Sequence, residues 1–148
     1  VSWTVVDLAP AIRRGRELAV ARGAKGLSFA ERLDDLEVCD IFLSRGCLQY
    51  VEASLTDLIS LLPTLPEYLI LDKIPLSAGP SFVTIQNLGV TATPYKIFNR
   101  ELFLAPLLQQ GYVVLDEWPV QDLSCAVPFH PERFLATHSG LVLKRAPA

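Results

Sequence analysis

Short apolar runs, separated by helical or turn-rich segments, recur along the first half of this chain. Such runs predict strands at residues 3–7, 27–29, 40–43 and 68–72. The run at 41–43 is continuous rather than alternating, which is typical of a parallel strand covered on both faces. Between the runs, residues 11–22 and 55–62 have the composition of helices, and the first is opened by Pro10 and closed by Gly23.

The second half of the chain predicts a hairpin-like insert, a third helix and a closing pair of strands. Residues 82–86 alternate like a strand with one face toward solvent or ligand. Asn99 is expected to cap a helix that Pro106 should kink or shorten. Two closing strands are predicted at residues 112–118 and 141–145. Because no helix-length pattern lies between them, this pair is most simply antiparallel.

This order of elements indicates a single α/β domain over residues 1–148, with a mostly parallel sheet and an antiparallel finish. At 148 residues the chain is long enough to bury a core without disulfide staples. Charged residues make up 20% of it and the net charge is -3, which does not suit a surface built for phosphate backbones or anionic lipid. We therefore expect neither nucleic acid nor a membrane as a partner.

The cysteines and the hydropathy pattern indicate a cytoplasmic protein. Cys39, Cys47 and Cys125 are odd in number and lack C-x-x-C spacing, which fits a reducing compartment. No apolar run approaches the roughly 20 residues that span a bilayer, and no basic and apolar leader opens the sequence.

The two histidines predict neither a metal site nor a catalytic triad. His130 precedes Pro131, and His138 lies eight residues further on. Neither has cysteine or carboxylate neighbours at metal-ligand spacing. Both are interpreted as ordinary loop residues.

The stretch at 40–52 is where chemistry is expected. Its apolar run stops at Ser44, Arg45 and Gly46 and restarts as a polar-faced segment that ends at Glu52. In open α/β sheets the ligand crevice lies beyond the carboxyl ends of the strands, so the segment 44–50 is a candidate site. The alternative is that this is only a strand followed by a connection.

Several segments together resemble the class I S-adenosylmethionine-dependent methyltransferases, and more narrowly a group of bacterial proteins within them. The segments are Trp-Thr-Val-Val-Asp at 3–7, Leu-Gln-Tyr at 48–50, Leu-Asp-Lys-Ile-Pro-Leu at 71–76, Phe-Val-Thr-Ile-Gln at 82–86 and Gly-Tyr at 111–112. The resemblance covers nearly the whole chain and rests on their order and spacing. It implies a Rossmann-like three-layer sandwich, S-adenosyl-L-methionine as cofactor, and methyl transfer to a small-molecule or glycan-like acceptor.

The resemblance also implies residues for the cofactor. Asp7, followed by Leu8, matches the acidic residue that accepts hydrogen bonds from the ribose hydroxyls, a role that suits a carboxylate. The other matching positions are Ser28 and Phe29 beside the adenine, and Ser44, Arg45 and Gly46 at the amino-acid end of the cofactor. Taken alone, Asp7 is a turn residue before Pro10, and Phe29 is more often a core residue.

By the same likeness, six side chains lie toward the substrate: Gln49, Tyr50, Asp72, Lys73, Gln86 and Tyr95. Arg45 is expected to pair with a carboxylate of the cofactor or substrate, or else to be a surface charge. Methyl transfer is an in-line displacement at a sulfonium, so positioning supplies most of the catalysis. The sequence therefore assigns no general base and no metal.

One defining part of this group has no counterpart in the sequence. No Gly-rich loop is present, and the first strand of such enzymes, which lies between their second and fourth strands, has no match. Its absence would leave two apolar strands with unpaired inner edges. Val1 and the lack of methionine favour a fragment of a longer protein; alternatively another chain, as in a homo-oligomer, supplies the strand.

The remaining alternatives set the resemblance aside. One is a non-catalytic α/β binding or interaction domain that keeps the fold without the cofactor loop. Another is a different nucleotide-using Rossmann-like enzyme, in which Asp7 would also hold a ribose. The sequence contains no phosphate-binding loop that would support this last alternative.

Overall fold

The structure, a computed structural model, describes residues 1–147 and divides into two compact units. The first comprises residues 1–39 and 57–65, and the second comprises residues 40–56 and the chain from residue 66 onward. Helix α2 (Leu55–Ser60) begins in the second unit and ends in the first. None of the helices formed by residues 1–147 has the length and apolar character needed to cross a bilayer.

The first unit is a parallel strand pair joined by a helix. Its elements are strand β1 (Trp3–Val6), helix α1 (Ala9–Ala21), strand β2 (Leu27–Ala30) and a 3-10 turn (Leu33–Asp35). Strand β1 runs parallel to β2, with Trp3 opposite Leu27. Pro10 lies in the first turn of α1, as predicted, because a proline there loses no intrahelical hydrogen bond. Ile12 is the buried anchor of this helix.

The second unit contains two sheets and a helix. Its strands are β3 (Ile41–Arg45), β4 (Tyr68–Ile74), β5 (Leu76–Ser77), β6 (Phe82–Asn87), β7 (Ala92–Asn99), β8 (Tyr112–Val120) and β9 (His138–Arg145). Its helix is α3 (Arg100–Gln109), and 3-10 turns lie at Leu48–Tyr50 and Pro131–Arg133. The larger sheet has the order β3-β4-β9-β8 and the smaller has the order β5-β7-β6.

In the larger sheet three of the four strands, β3, β4 and β8, run in one direction, and β9 runs against them. Strands β3 and β4 are parallel, but β9 pairs antiparallel with both β4 and β8. A strand that returns without a crossover helix and inserts between two others of the same direction makes two antiparallel pairs. The antiparallel pairing of the last two strands is the one expected from the missing helical pattern.

The core of the second unit lies on one face of this sheet. Leu69 lies opposite Leu143, and Leu71 lies opposite Leu141. All four side chains are fully buried. Alternate residues of a strand point to the same face, so the period of two in the sequence places them together.

Strands β6 and β7 form the predicted hairpin-like insert, although only β6 was predicted from the sequence. They pair antiparallel from Phe82 opposite Ile97 to Asn87 opposite Ala92. At the end of β7, the Asn99 side chain accepts a hydrogen bond from the Leu102 amide at 2.9 Å, which confirms the predicted cap of α3. Pro106 lies inside α3 but does not shorten it, since the helix continues to Gln109.

Strand β3 is not covered on both faces, contrary to the prediction. It is the edge strand of its sheet, and Ile41 and Leu43 are 41% and 50% exposed. Within residues 1–147, β1 and β3 each pair with a strand through one edge only. An apolar edge strand exposes hydrogen-bonding groups beside apolar side chains, a combination that favours pairing with a further strand.

Candidate functional site

Asp7 lies directly after β1, at the carboxyl end of the first unit's parallel pair. Its Oδ1 accepts a hydrogen bond from the Leu8 amide at 2.7 Å, and its own amide donates to the Ala30 carbonyl at 3.4 Å. Leu8 is the N-cap residue of α1 and is largely exposed. The carboxylate is exposed and keeps one oxygen available for a ligand.

Ser28 and Phe29 lie side by side on β2 but have different surroundings. The Ser28 hydroxyl lies 2.7 Å from the Thr4 hydroxyl. The Phe29 ring packs so closely on α1 that a Cβ atom on Gly15 would lie 2.5 Å from the ring. Gly15 is therefore required by the packing of Phe29, and the contact is that of a core residue.

At the end of β3, the predicted cofactor residues bond to neighbours in the second unit. Ser44 is buried, and its hydroxyl lies 3.1 Å from Cys47 Sγ. Arg45 Nε donates to Asp72 Oδ2 at 2.9 Å, so a carboxylate of this chain already pairs with it. The Gly46 amide donates to the Asp72 carbonyl at 2.8 Å. Ser44 and Arg45 belong to the strand rather than to the predicted turn, which begins at Gly46.

Lys73 has an unusual backbone conformation beside this turn. Its φ of 60° lies in the left-handed region, and the register of β4 against β9 shifts between Leu71 and Ile74. Such a bulge re-aims side chains at a strand end, and a left-handed non-glycine residue is a local strain that functional sites often contain. Asp72 and Lys73 therefore lie at an irregular strand end, next to Gly46.

Four of the six predicted substrate residues lie together in the second unit. The Tyr50 hydroxyl donates to Gln86 Oε1 at 2.6 Å, and the Tyr50 ring meets the Tyr95 ring edge-on at 5.4 Å between centroids. The Gln49 side chain lies beside the Tyr95 phenol and opposes the rise in its pKa that burial causes. Gln49 is 4% exposed, and its Oε1 has no hydrogen-bond partner among residues 1–147.

His138 is a buried member of this cluster rather than the loop residue that was predicted. It is the first residue of β9 and is 3% exposed. Its Nε2 lies 2.6 Å from the Tyr95 hydroxyl, and its Nδ1 lies 3.1 Å from the Leu123 carbonyl oxygen. The sequence missed it because Ser139 and Gly140 interrupt the apolar pattern at the start of the strand.

Burial sets the protonation of this cluster. Burial, with Tyr50 and Cys125 nearby, raises the pKa of Tyr95 to about 12, against the opposing effect of the Gln49 side chain. Burial also lowers the pKa of His138; the Leu123 carbonyl opposes this shift and the Lys73 ammonium adds to it. At neutral pH the imidazole and the phenol are both uncharged.

The lowered pKa of His138 predicts that acid destabilises the folded protein. Below the unfolded-state pKa of about 6.5, the unfolded chain binds a proton that the folded chain does not, so stability falls as pH drops toward the folded pKa. Each unit of pKa difference contributes about 1.4 kcal/mol. Urea titrations between about pH 7.5 and 5.5 measure the slope, and it should be shallower in the His138→Gln variant. Equal slopes in the two proteins would contradict this prediction.

A cavity of about 210 Å³ in the second unit lies apart from all the predicted residues. Lys96 lines it and donates to the Val51 and Glu52 carbonyls at 2.6 and 2.7 Å. The remaining lining residues are Leu48, Glu52, Ala53, Ser54, Leu55, Thr56, Ser81, Phe98, Asn99, Leu102, Phe103, Pro106 and Leu107. Lys96 follows Tyr95 on β7, so the two side chains point to opposite faces of the strand. The sequence did not predict β7 as a strand and therefore gave no sign of the cavity.

No protein-family model and no curated protein sequence matches this chain. Among solved structures it is similar to the Burkholderia thailandensis 1,6-didemethyltoxoflavin-N1-methyltransferase, crystallised with 1,6-didemethyltoxoflavin and S-adenosylhomocysteine. The TM-score is 0.62 at 17% identity, over 97% of this chain and 61% of that one. This chain thus spans less than two thirds of that enzyme.

Two further structures are similar, both assigned to S-adenosylmethionine-dependent methyltransferases. One, from Listeria monocytogenes, has a TM-score of 0.62 at 12% identity, over 99% of this chain and 81% of that one. The other, from Clostridium acetobutylicum, has a TM-score of 0.58 at 12% identity, over 99% and 76%. This chain has the Rossmann-like fold of class I methyltransferases. At these identities the likeness concerns the fold alone.

Proposed function

We propose that this chain is the greater part of an S-adenosylmethionine-dependent methyltransferase that acts on a small-molecule or glycan-like acceptor in the cytoplasm. The observation that carries the proposal is the fold shared with methyltransferases over nearly the whole chain. The 1,6-didemethyltoxoflavin enzyme, with its small-molecule ligand and S-adenosylhomocysteine, supports both the cofactor and the acceptor class.

In this proposal the cofactor's ribose binds to Asp7, beside Leu8. Among residues 1–147, the second oxygen of the exposed Asp7 carboxylate has no hydrogen-bond partner, and a charge-assisted bond to a hydroxyl needs such an oxygen. Ser28 and Phe29 follow on β2 toward the adenine. In the second unit, Ser44, Arg45 and Gly46 carry the amino-acid end, and the Arg45 pair with Asp72 holds that strand end in place.

The acceptor is proposed to bind near Gln49, Tyr50, Gln86 and Tyr95, with Asp72 and Lys73 at the neighbouring strand end. S-adenosylmethionine supplies an electrophilic methyl group on a sulfonium, and these residues position the acceptor for in-line attack. No side chain is assigned as the base.

A further strand is also part of the proposal. The free edge of β3 and the exposed Ile41 and Leu43 suit pairing with one more parallel strand. This sequence contains no G-x-G pattern, so the glycine turn that lets a backbone approach the cofactor would accompany that strand. The strand comes from another part of a longer chain or from a second chain.

The proposal predicts that Asp7→Ala weakens cofactor binding by about 1–3 kcal/mol, because the variant loses charge-assisted hydrogen bonds. Calorimetric titration of S-adenosylhomocysteine into the native full-length protein and its variants measures the change. Asp116→Ala is the matched control, since Asp116 Oδ1 accepts from the next amide at 2.9 Å as Asp7 does at 2.7 Å. The control should bind as the native protein does.

Two results would count against the proposal. Unchanged affinity in Asp7→Ala would remove Asp7 from the site. Failure of the folded native protein to bind S-adenosylhomocysteine would overturn the enzyme and favour a non-catalytic α/β binding domain.

A further inference from the structure

A series of buried polar groups in the second unit ends at an oxygen that has no hydrogen-bond partner among residues 1–147. The Gln49 amide lies beside the Tyr95 phenol, the phenol oxygen lies 2.6 Å from His138 Nε2, and His138 Nδ1 lies 3.1 Å from the Leu123 carbonyl oxygen. At the opposite end, Gln49 Oε1 is fully buried and has no partner among residues 1–147.

The last member of this series fixes the direction of the hydrogen bond between His138 and Tyr95. The Leu123 carbonyl can only accept, so His138 Nδ1 carries the proton and Nε2 of the neutral ring must accept. The Tyr95 hydroxyl therefore donates to Nε2, which leaves the lone pairs of its oxygen toward the neighbouring Gln49 amide. Turning the amide over would place the Gln49 carbonyl oxygen against these lone pairs, so the orientation with Oε1 directed away from Tyr95 is favoured.

An unsatisfied acceptor in this position has an energetic cost that a ligand can remove. A buried polar atom without a partner costs about 1–3 kcal/mol. The Gln49 amide also lies at the carboxyl end of β3, where a Cβ atom on Gly46 would lie 4.0 Å from Nε2. This end of a parallel strand pair is where open α/β sheets bind ligands.

We propose that Gln49 Oε1 determines acceptor specificity by accepting a hydrogen bond from an N–H or O–H group of the small molecule to be methylated, an inference that rests on the proposed methyl transfer. Tyr95 and His138 are positioning residues, because they hold the amide in one orientation. The ligand reaches Gln49 when Tyr50 rotates: Tyr50 is 43% exposed, and among residues 1–147 its hydroxyl hydrogen-bonds to Gln86 alone. Gln49 is a neutral amide and takes no proton.

The orientation is tested first, without a ligand. The chain has two histidines, so a His130→Asn variant labelled on nitrogen gives imidazole NMR signals from His138 alone. We expect the neutral tautomer with the proton on Nδ1, and the same tautomer in Tyr95→Phe, because the Leu123 carbonyl remains in place. A proton on Nε2 would make Tyr95 the acceptor from His138, reverse the Gln49 amide and overturn the inference.

The specificity is tested with matched probes at saturating S-adenosylhomocysteine: phenol against anisole, and indole against N-methylindole. The member with O–H or N–H should shift the Gln49 side-chain amide signal and bind at least about tenfold more tightly. The near-isosteric Gln49→Met variant should lose this discrimination, and Tyr95→Phe should reduce it. Equal binding of both members would overturn the proposal, as would binding of neither, which would mean that Gln49 Oε1 bonds only to water.

The two proposals fail separately. If S-adenosylhomocysteine does not bind but the probes are still discriminated, methyl transfer is wrong and the donor-selecting site remains. If S-adenosylhomocysteine binds and the probes are not discriminated, only the role of Gln49 is wrong.

Discussion

Replacing Leu71 with alanine is expected to lower the free energy of unfolding by about 2–5 kcal/mol. Leu71 is fully buried on β4, where it lies opposite Leu141 of β9. Its removal loses apolar contact and leaves a cavity that neighbours on three hydrogen-bonded strands cannot close. Urea unfolding followed by circular dichroism measures the change as a shift of the midpoint at constant slope.

Leu115→Ala is the matched control for Leu71→Ala. Leu115 lies on β8 of the same sheet, but its side chain is 56% exposed. Its truncation should change the unfolding free energy by no more than about 0.5 kcal/mol. Similar losses in both variants would mean that the face of the sheet carrying Leu71 is not the core.

Local patterns predicted most elements of this fold. The Asn99 cap and Pro10 act on amides within one helical turn, so three or four residues of sequence carry the whole signal. The apolar runs at 3–7 and 68–72 likewise carry, within a few residues, the pattern that predicts the strands they form. The predicted strand ends were less accurate. Strand β9 begins at His138 rather than at residue 141, because the small and polar residues at its start are buried as the apolar residues are.

Features that depend on residues far apart in the chain could not be predicted from the sequence. A continuous apolar run cannot distinguish a covered strand from an edge strand such as β3, because coverage depends on neighbours remote in sequence. The insertion of β9 between β4 and β8 is a property of the same kind. Both determine the shape of the sheet but leave no mark on the periodicity of the strands themselves.

The candidate site also has a part that was expected from the sequence and a part that was not. Gln49, Tyr50, Gln86 and Tyr95 were expected together through a family resemblance, and their mutual contacts agree with that grouping. His138 was not expected, since it lies 43 residues from Tyr95 and no local spacing links them. The hydrogen bond that orients the Tyr95 hydroxyl therefore joins residues far apart in the sequence, and only the structure shows it.

Gly140→Val is the second change with a large expected effect, a loss of about 3 kcal/mol of unfolding free energy from overpacking. Gly140 lies opposite Trp118 on the adjacent strand, and a Cβ atom built on Gly140 would clash with the Trp118 indole. Valine favours strands, so propensity alone predicts a gain. The close contact decides against it, because either the indole must leave the sheet or β8 and β9 must separate.

A double-mutant cycle with Trp118→Ala identifies the contact responsible. If the indole causes the loss, Gly140→Val should be far less costly once the indole is gone, so the two changes should not be additive. A Trp3→Phe background leaves Trp118 as the sole tryptophan, and its fluorescence then reports whether the ring moves into solvent. Gly79→Val is the control, since a Cβ atom there meets only the Ser77 hydroxyl at 3.7 Å. Additive losses at residues 118 and 140 would show that backbone strain, rather than the indole, opposes a side chain at Gly140.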